Sequence, residues 1–147
     1  MIEIQINGYY PGKFERVQKF ACDVVNHFFP RDLKNPVLIN IDYQKNIEGN
    51  LEGQCVDFGR HQGIRMIQID LSRRFIDEDD NFPHSCERMA STLAHELVHA
   101  KQFIKRQLSN RMLSKAYAKD PTEEEVTNLP WEVEAYTLEE ELFNKYW

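Results

Sequence analysis

A helical repeat of apolar residues between positions 85 and 108, carrying two histidines one turn apart, constrains the fold of this chain more than any other feature. The apolar side chains recur every three or four positions, which predicts one long helix with a face directed at a core. Ser85 is a suitable N-cap, and Glu87 lies where the positive end of the helix dipole favours a carboxylate. At the middle of the helix stands His95-Glu96-Leu97-Val98-His99. Because Leu97 and Val98 are apolar, we expect this stretch to be partly buried, and buried histidines need polar partners.

The spacing of the two histidines predicts a metal site. Residues four apart on a helix have Cβ atoms about 5–6 Å apart, so both imidazoles can reach one ion at about 2.0–2.1 Å. Glu96 points about 100° away around the helix and can approach a bound water without being a ligand. We therefore expect His95 and His99 to bind one Zn²⁺ ion and Glu96 to act as a general base. The alternative is an incidental motif in a metal-free protein.

A third ligand must come from elsewhere, because a catalytic zinc usually has three protein ligands and an open position for water. No histidine follows His99 and no cysteine follows Cys86, so a downstream ligand has to be a carboxylate. The segment 130–136 stands out because it begins a helix, is flanked by aromatic residues and contains the small Ala135. The alternative for its carboxylates is a simple interaction with the helix dipole. The downstream candidates are Asp120, Glu123 to Glu125, Glu132, Glu134 and Glu139 to Glu141.

The rest of the chain predicts an α+β fold in one domain, residues 1–147, because no repeat, low-complexity tract or linker divides it. Alternation and β-branched content predict strands, the most apolar face of the last being Ile67, Ile69 and Leu71. A helix closed by Pro30 and a final helix beginning at Pro130 complete the order β-α-β-β-β-α-α. The predicted strands cover 1–7, 37–43, 54–58 and 64–71, the first helix covers 14–28, turns fall at Pro11-Gly12 and 59–63, and polar irregular segments cover 77–83 and 109–129.

Composition excludes several classes of protein. Hydrophobic residues make up 41% of the chain, which is not a disordered composition, and the net charge of −6 argues against a nucleic-acid partner. No run of 18 apolar residues predicts a membrane span, and the first residues do not resemble a secretion signal. Three cysteines without a CxxC pair predict reduced thiols in the cytoplasm. We expect a monomer.

Two segments together resemble a known family. Thr92-Leu-Ala-His-Glu-Leu-Val-His-Ala-Lys-Gln102, followed by Pro130-Trp-Glu-Val-Glu-Ala-Tyr136, is similar to the zincin metallopeptidases of the gluzincin type. Minimal phage and prokaryotic members of that group have about this size. The resemblance implies a zincin-like fold, with a small twisted mixed sheet, a backing helix, an active-site helix and a C-terminal glutamate helix. It also implies Glu132 as the third ligand, with Glu134 as the alternative.

The resemblance carries further expectations about the site. Many members have an aspartate four residues after the ligand glutamate that hydrogen-bonds a ligand histidine; here that position is Tyr136, whose hydroxyl could take the same role. The family binds its substrate along an edge strand, which implies β-augmentation on residues 64–70, with Ile67, Gln68 and Ile69 binding the peptide.

The implied activity is zinc-dependent hydrolysis of peptide bonds in a peptide or protein substrate. Tyr117, Tyr136 and Arg106 are the candidates to stabilise the oxyanion. The alternative is a catalytically silent zincin-like module that acts through protein contacts.

Overall fold

The computed structural model describes residues 1–9 and 13–147, which form an α+β structure. The predicted turn at Pro11-Gly12 lies outside the described residues. The elements are β1 Ile2–Asn7, α1 Phe14–Phe28, β2 Val37–Gln44, β3 Gly53–His61, β4 Ile64–Ser72, β5 Arg74–Ile76, β6 Asn81–Pro83, α2 Cys86–Ile104, α3 Asn110–Tyr117, α4 Glu123–Thr127 and α5 Pro130–Tyr146.

The main sheet has four strands in the order β1-β2-β4-β3. β1, β2 and β4 are parallel, and β3 pairs antiparallel with β4, so the prediction of a small mixed sheet is confirmed. The prediction that residues 64–70 form an edge strand is wrong, because β4 pairs with β2 on one side and with β3 on the other. β3 is therefore the edge strand at this end of the sheet.

The two faces of the sheet differ in chemistry. Ile67 and Ile69 are 1% and 0% exposed and belong to the core with α1 and α2. Gln68 alternates with them and donates hydrogen bonds to the carboxylates of Asp42 and Asp70 on the opposite face. The predicted substrate-binding role of Ile67, Gln68 and Ile69 is therefore wrong, since two are packed in the core and the third is engaged on the polar face.

Segments predicted to be irregular contain regular elements. The segment 109–129 includes α3 and α4, whose N-termini are capped by the side chains of Ser109 and Thr122. Thr122 and Glu125 form a capping box, a signal that can be read from the sequence. The loop predicted over 77–83 contributes β6, which pairs with β5.

Two boundaries also differ from the expectation. α2 ends at Ile104 rather than near 108, because Arg106 takes a left-handed backbone conformation (φ 61°) that no glycine marks in the sequence. β3 continues to His61, so the turn to β4 contains only Gln62 and Gly63, both at positive φ, as a two-residue hairpin requires.

Helix α2 contacts both the sheet and the other long helices. It packs against β3 and β4 and also against α1 and α5. Ala135 of α5 is fully buried, and its small side chain allows the two helices to approach closely. In the described chain, no helix is both long and apolar enough to cross a membrane.

Candidate metal centre

His95, His99 and Glu132 converge on one point between α2 and α5. The Nε2 atoms of the two histidines lie 3.2 Å apart, and Oε1 of Glu132 lies 2.5 Å from Nε2 of His99 and 3.4 Å from Nε2 of His95. Helix α2 supplies the histidines from adjacent turns, while the first turn of α5 supplies the carboxylate. The structure thus brings together the three residues that the sequence predicted as ligands.

The spacing of these three atoms suits a small cation. In a tetrahedral site with metal–ligand distances of about 2.0–2.1 Å, the ligand atoms lie about 3.3 Å apart. The separation of the two Nε2 atoms and that of His95 Nε2 from Glu132 Oε1 are close to this value. The third, from His99 Nε2 to Glu132 Oε1, is a hydrogen-bond distance that would have to lengthen by less than 1 Å, a change within reach of side-chain rotation. His95, His99 and Glu132 could therefore hold a metal ion.

Both histidines use their other ring nitrogen for a hydrogen bond. Nδ1 of His95 lies 2.8 Å from Oε2 of Glu139, and Nδ1 of His99 lies 2.8 Å from Oε1 of Gln102. A carboxylate and an amide oxygen only accept, so each Nδ1 must carry the proton. In the neutral ring this leaves the Nε2 lone pair facing the metal position, as metal-binding histidines require.

Gln102 is oriented by its own partners. Its amide nitrogen donates to the backbone carbonyl of Trp131 (3.0 Å) and to Oε1 of Glu134 (2.9 Å), which directs its oxygen at His99. Glu134 also accepts from the buried Lys101 at 2.5 Å. Glu134 is therefore an ion-pair partner beneath the site, and the alternative of Glu134 as third ligand is wrong. Gln102 was not among the residues predicted from the sequence, although its position three residues after His99 places both on one helical face.

Tyr136 does not make the predicted hydrogen bond to a histidine. Its ring packs edge-on against His95 at 4.7 Å between centroids, while Nδ1 of His95 is bonded to Glu139 instead. The reason is geometric: Glu139 lies seven residues after Glu132, two turns along the same face, where its carboxylate reaches the ring edge. Tyr136 is half exposed and lines the cleft beside the site.

Glu96 lies next to the three converging residues and is buried. Burial raises the pKa of its carboxyl to about 7, despite the opposing effect of His99 and His95. Strand β3 passes close by, because Gly53 has no side chain. A Cβ there would lie 2.8 Å from Cγ2 of Thr92 and 3.1 Å from Cγ of Glu96.

The protonation of the three residues is strongly coupled. Burial would lower the pKa of His95, but its hydrogen bonds to Glu132 and Glu139 raise it to about 10. His99 behaves in the same way, and its pKa is raised by Glu132 against the effect of burial. Burial would raise the pKa of Glu132, but the hydrogen bonds from both histidines lower it to about 2. A metal ion at this site therefore has to displace protons from the imidazoles.

The site opens into a cleft of about 620 Å³ between β3, α2, α3 and α5. One end of the cleft is polar and contains Glu52 and Arg88, which are paired with each other. Tyr117 and Tyr136 line the cleft, whereas Arg106 follows the end of α2 and is not one of the lining residues in the described chain. The apolar end is formed by Phe103, Leu108, Leu113 and Trp131.

Comparison of the chain with protein-family models, with the sequences of curated proteins and with solved structures found no match.

Proposed function

We propose that this protein is a zinc-dependent peptide hydrolase with a zincin-like fold. The observation that carries the proposal is the convergence of His95, His99 and Glu132 beside the buried carboxylate of Glu96, at the floor of an open cleft. Two imidazoles and one carboxylate are the donor set of many hydrolytic zinc sites, and the site leaves one side accessible from the cleft. The element order, with a glutamate helix packed on an HExxH helix, supports the zincin-like assignment.

The chain's own residues account for the proton transfers of such a reaction. Zinc held by His95, His99 and Glu132 would supply Lewis-acid activation of a water and of the scissile carbonyl. Glu96 accepts the proton of the attacking water and passes it to the leaving amine. Burial raises the pKa of this carboxyl in the metal-free protein, and a raised pKa favours a carboxylate that has to accept a proton. Tyr117 and Tyr136 line the cleft and remain the candidates to donate a hydrogen bond to the oxyanion.

The substrate is a peptide or protein segment bound in extended form along β3. Among the described strands β3 pairs only with β4, so its other edge can accept a peptide by β-augmentation. β3 takes the role that the sequence analysis gave to residues 64–70. The three cysteines are free, as expected of a protein kept in the reducing cytoplasm, and we expect it to act as a monomer.

The Glu96→Gln variant tests this function. We expect purified wild-type protein to contain one zinc ion per chain by mass spectrometry and to cleave casein or a peptide mixture. Glu96→Gln should keep the zinc, because Glu96 is not a ligand, and should cleave about 10²–10⁴-fold more slowly. Glu132→Gln should bind zinc more weakly. Unchanged cleavage by Glu96→Gln would reject Glu96 as the base, and stoichiometric zinc without cleavage of any peptide would favour a silent binding module.

A further inference from the structure

The edge of β3 offers only a short stretch of free backbone near the metal centre. Ser72 of β4 donates its N–H to the carbonyl of Glu52, so residue 52 faces β4. In an antiparallel ladder alternate residues face the partner strand, and the register continues unbroken to Asp57. Gly53, Cys55 and Asp57 therefore direct their N–H and C=O groups to the open edge.

The side chain of Asn110 occupies the last of these positions. Its Nδ2 donates to the backbone oxygen of Asp57 at 2.8 Å, which is the contact that an added strand would make. The ladder also shifts register between Asp57 and Gly59, and such a bulge bends the strand away from its line. The usable edge is limited to Gly53 and Cys55, a length of about 7 Å at the rise of a strand.

Helix α3 forms a wall at the same end of the cleft. Leu113 and Tyr117 of α3 line the cleft together with Leu108, which precedes the helix and is buried. The helix itself has no fully buried residue; Leu113 is partly buried and packs against the core, so α3 covers this end of the cleft from outside. At the opposite end, the side chain of Arg88 is 60% exposed, which leaves that end accessible.

We propose that α3 closes the cleft at one end and restricts the substrate to peptides with about two residues beyond the scissile bond on that side. The scissile bond lies opposite Gly53 and Cys55, because both line the cleft with the metal ligands and a Cβ on Gly53 would lie only 3.1 Å from Cγ of Glu96. A chain extending toward Asp57 meets Asn110 and then the α3 wall. A residue placed there contacts apolar side chains, so an apolar residue is favoured near that end of the peptide. This inference rests on the proposed peptide hydrolysis.

A peptide library of fixed length with mass-spectrometric mapping of the cuts tests the restriction. The zinc-loaded wild type should cut library peptides within about two residues of one terminus. The double variant Asn110→Ala/Tyr117→Ala opens the wall, and the ratio of interior to terminal cuts should rise about tenfold, the effect of one competing hydrogen bond. Because this readout is a ratio, a lower total rate caused by loss of the Tyr117 hydroxyl does not change it. Both residues are exposed, so the fold should survive, and Lys115→Ala on the same helix is a matched control whose cut positions should not change.

The outcomes separate this inference from the proposed function. Interior cuts by the wild type, or an unchanged cut pattern in the double variant, would overturn the role of α3 and leave peptide hydrolysis standing. Zinc binding without cuts by either protein would overturn both proposals.

Discussion

Each histidine of the candidate metal centre is fixed by a different acceptor, and the acceptor of His95 can be tested alone. Replacing Glu139 by leucine removes the partner of Nδ1, so the ring loses its preferred tautomer and orientation. We expect the affinity for zinc to fall about 10–100-fold, the usual effect of losing such a hydrogen bond. Competition with a chromophoric chelator measures this affinity.

Two variants at the same place control for side effects of the Glu139→Leu change. Glu139→Gln keeps an oxygen that accepts from Nδ1 and should lose much less affinity than Glu139→Leu. Tyr136→Phe removes the hydroxyl that the family resemblance suggested as the hydrogen-bond partner of a histidine. Its zinc affinity should stay within about twofold of the wild type, because the ring contact with His95 remains. Equal losses in Glu139→Leu and Tyr136→Phe would contradict the hydrogen bonding described above.

Single residues at this site could be predicted only in part. His95, Glu96 and His99 follow from spacing on a helix, whereas Glu132 was singled out among several carboxylates only by the resemblance of the segment 130–136 to the gluzincins. Glu139 lies on the same face as Glu132 and Tyr136, but periodicity does not show which side chain on a face has the length to reach a given ring edge. The same limit explains why Glu134, two residues after Glu132, stayed an alternative until its ion pair with Lys101 was visible.

At the scale of elements, the close approach of β3 to α2 depends on Gly53. In Gly53→Ala the new Cβ would lie 3.0 Å or less from Cγ2 of Thr92 and Cδ2 of Leu71. Because the core atoms around it cannot all move, we expect the free energy of unfolding to fall by about 1–3 kcal/mol, as in other overpacked sites. Chemical denaturation of the two proteins measures the difference.

A second substitution shows whether the clash itself is responsible. Thr92→Ser removes Cγ2 and keeps the hydroxyl that donates to the carbonyl of Arg88. In the double variant Gly53→Ala/Thr92→Ser, we expect at least half of the lost stability to return relative to Thr92→Ser alone. Additive effects of the two changes would mean that Gly53 matters for another reason.

Gln102 joins α2 to α5 and supports the metal centre at the same time. Gln102→Leu leaves the carbonyl of Trp131 and one oxygen of Glu134 without this donor, and His99 without its acceptor. Since Gln102 is 2% exposed, water does not readily replace these bonds, and each unmet group costs about 1–3 kcal/mol. We expect a lower free energy of unfolding together with a loss of zinc affinity. Gln18→Leu, the same change at an exposed position of α1, should leave both nearly unchanged.

Element types were more predictable than element neighbours. Alternation of side chains predicts that residues 64–71 form a strand and which face is buried, but not whether another strand pairs on each side. The two-residue turn at Gln62 and Gly63 folds β3 back on β4 locally. The pairing of β4 with β2 joins distant segments, and it leaves β3 at the edge. The short helices α3 and α4 were missed because they have only eight and five residues, too few for an apolar repeat to stand out, although the capping box at Thr122 indicates the start of α4.

For the whole molecule, the balance of charge around the cleft links stability to pH. Among the described lining residues, Glu52, Glu96, Glu132 and Glu139 face the single guanidinium of Arg88. In the metal-free protein, protons on His95 and His99 offset this negative charge. A divalent cation can replace those protons, so the stabilisation by zinc should grow over the pH range in which the metal-free protein loses stability.

Three groups determine whether the stability of the metal-free protein rises or falls with pH. The pKa of His95 rises from 6.5 to about 10 on folding, so its contribution is full below pH 6.5 and is lost as the pH rises toward 10. Burial raises the pKa of Glu96 from 4.5 to about 7 on folding. The protein therefore loses further stability as the pH rises from 4.5 to about 7, because the buried carboxyl ionises. The lowered pKa of Glu132, from 4.5 to about 2, adds stability that is present above pH 4.5 and lost below it. The melting temperature of chelator-treated protein should therefore be highest near pH 5 and should fall steadily to pH 8.

Zinc should oppose this trend because it binds the deprotonated imidazoles. Each proton that zinc displaces weakens its binding at low pH, so the stabilisation by a fixed zinc concentration grows from pH 6 to pH 8. Scanning calorimetry of chelator-treated protein, with and without one equivalent of zinc, should give melting temperatures that diverge with rising pH. The His95→Asn variant lacks one ligand and the proton that zinc would displace from it. Its melting temperatures with and without zinc should therefore stay close together at every pH. Wild-type curves separated by the same interval at every pH would mean that zinc binds without displacing protons from His95 and His99. That result would contradict the protonation of both histidines that follows from their hydrogen bonds to Glu132.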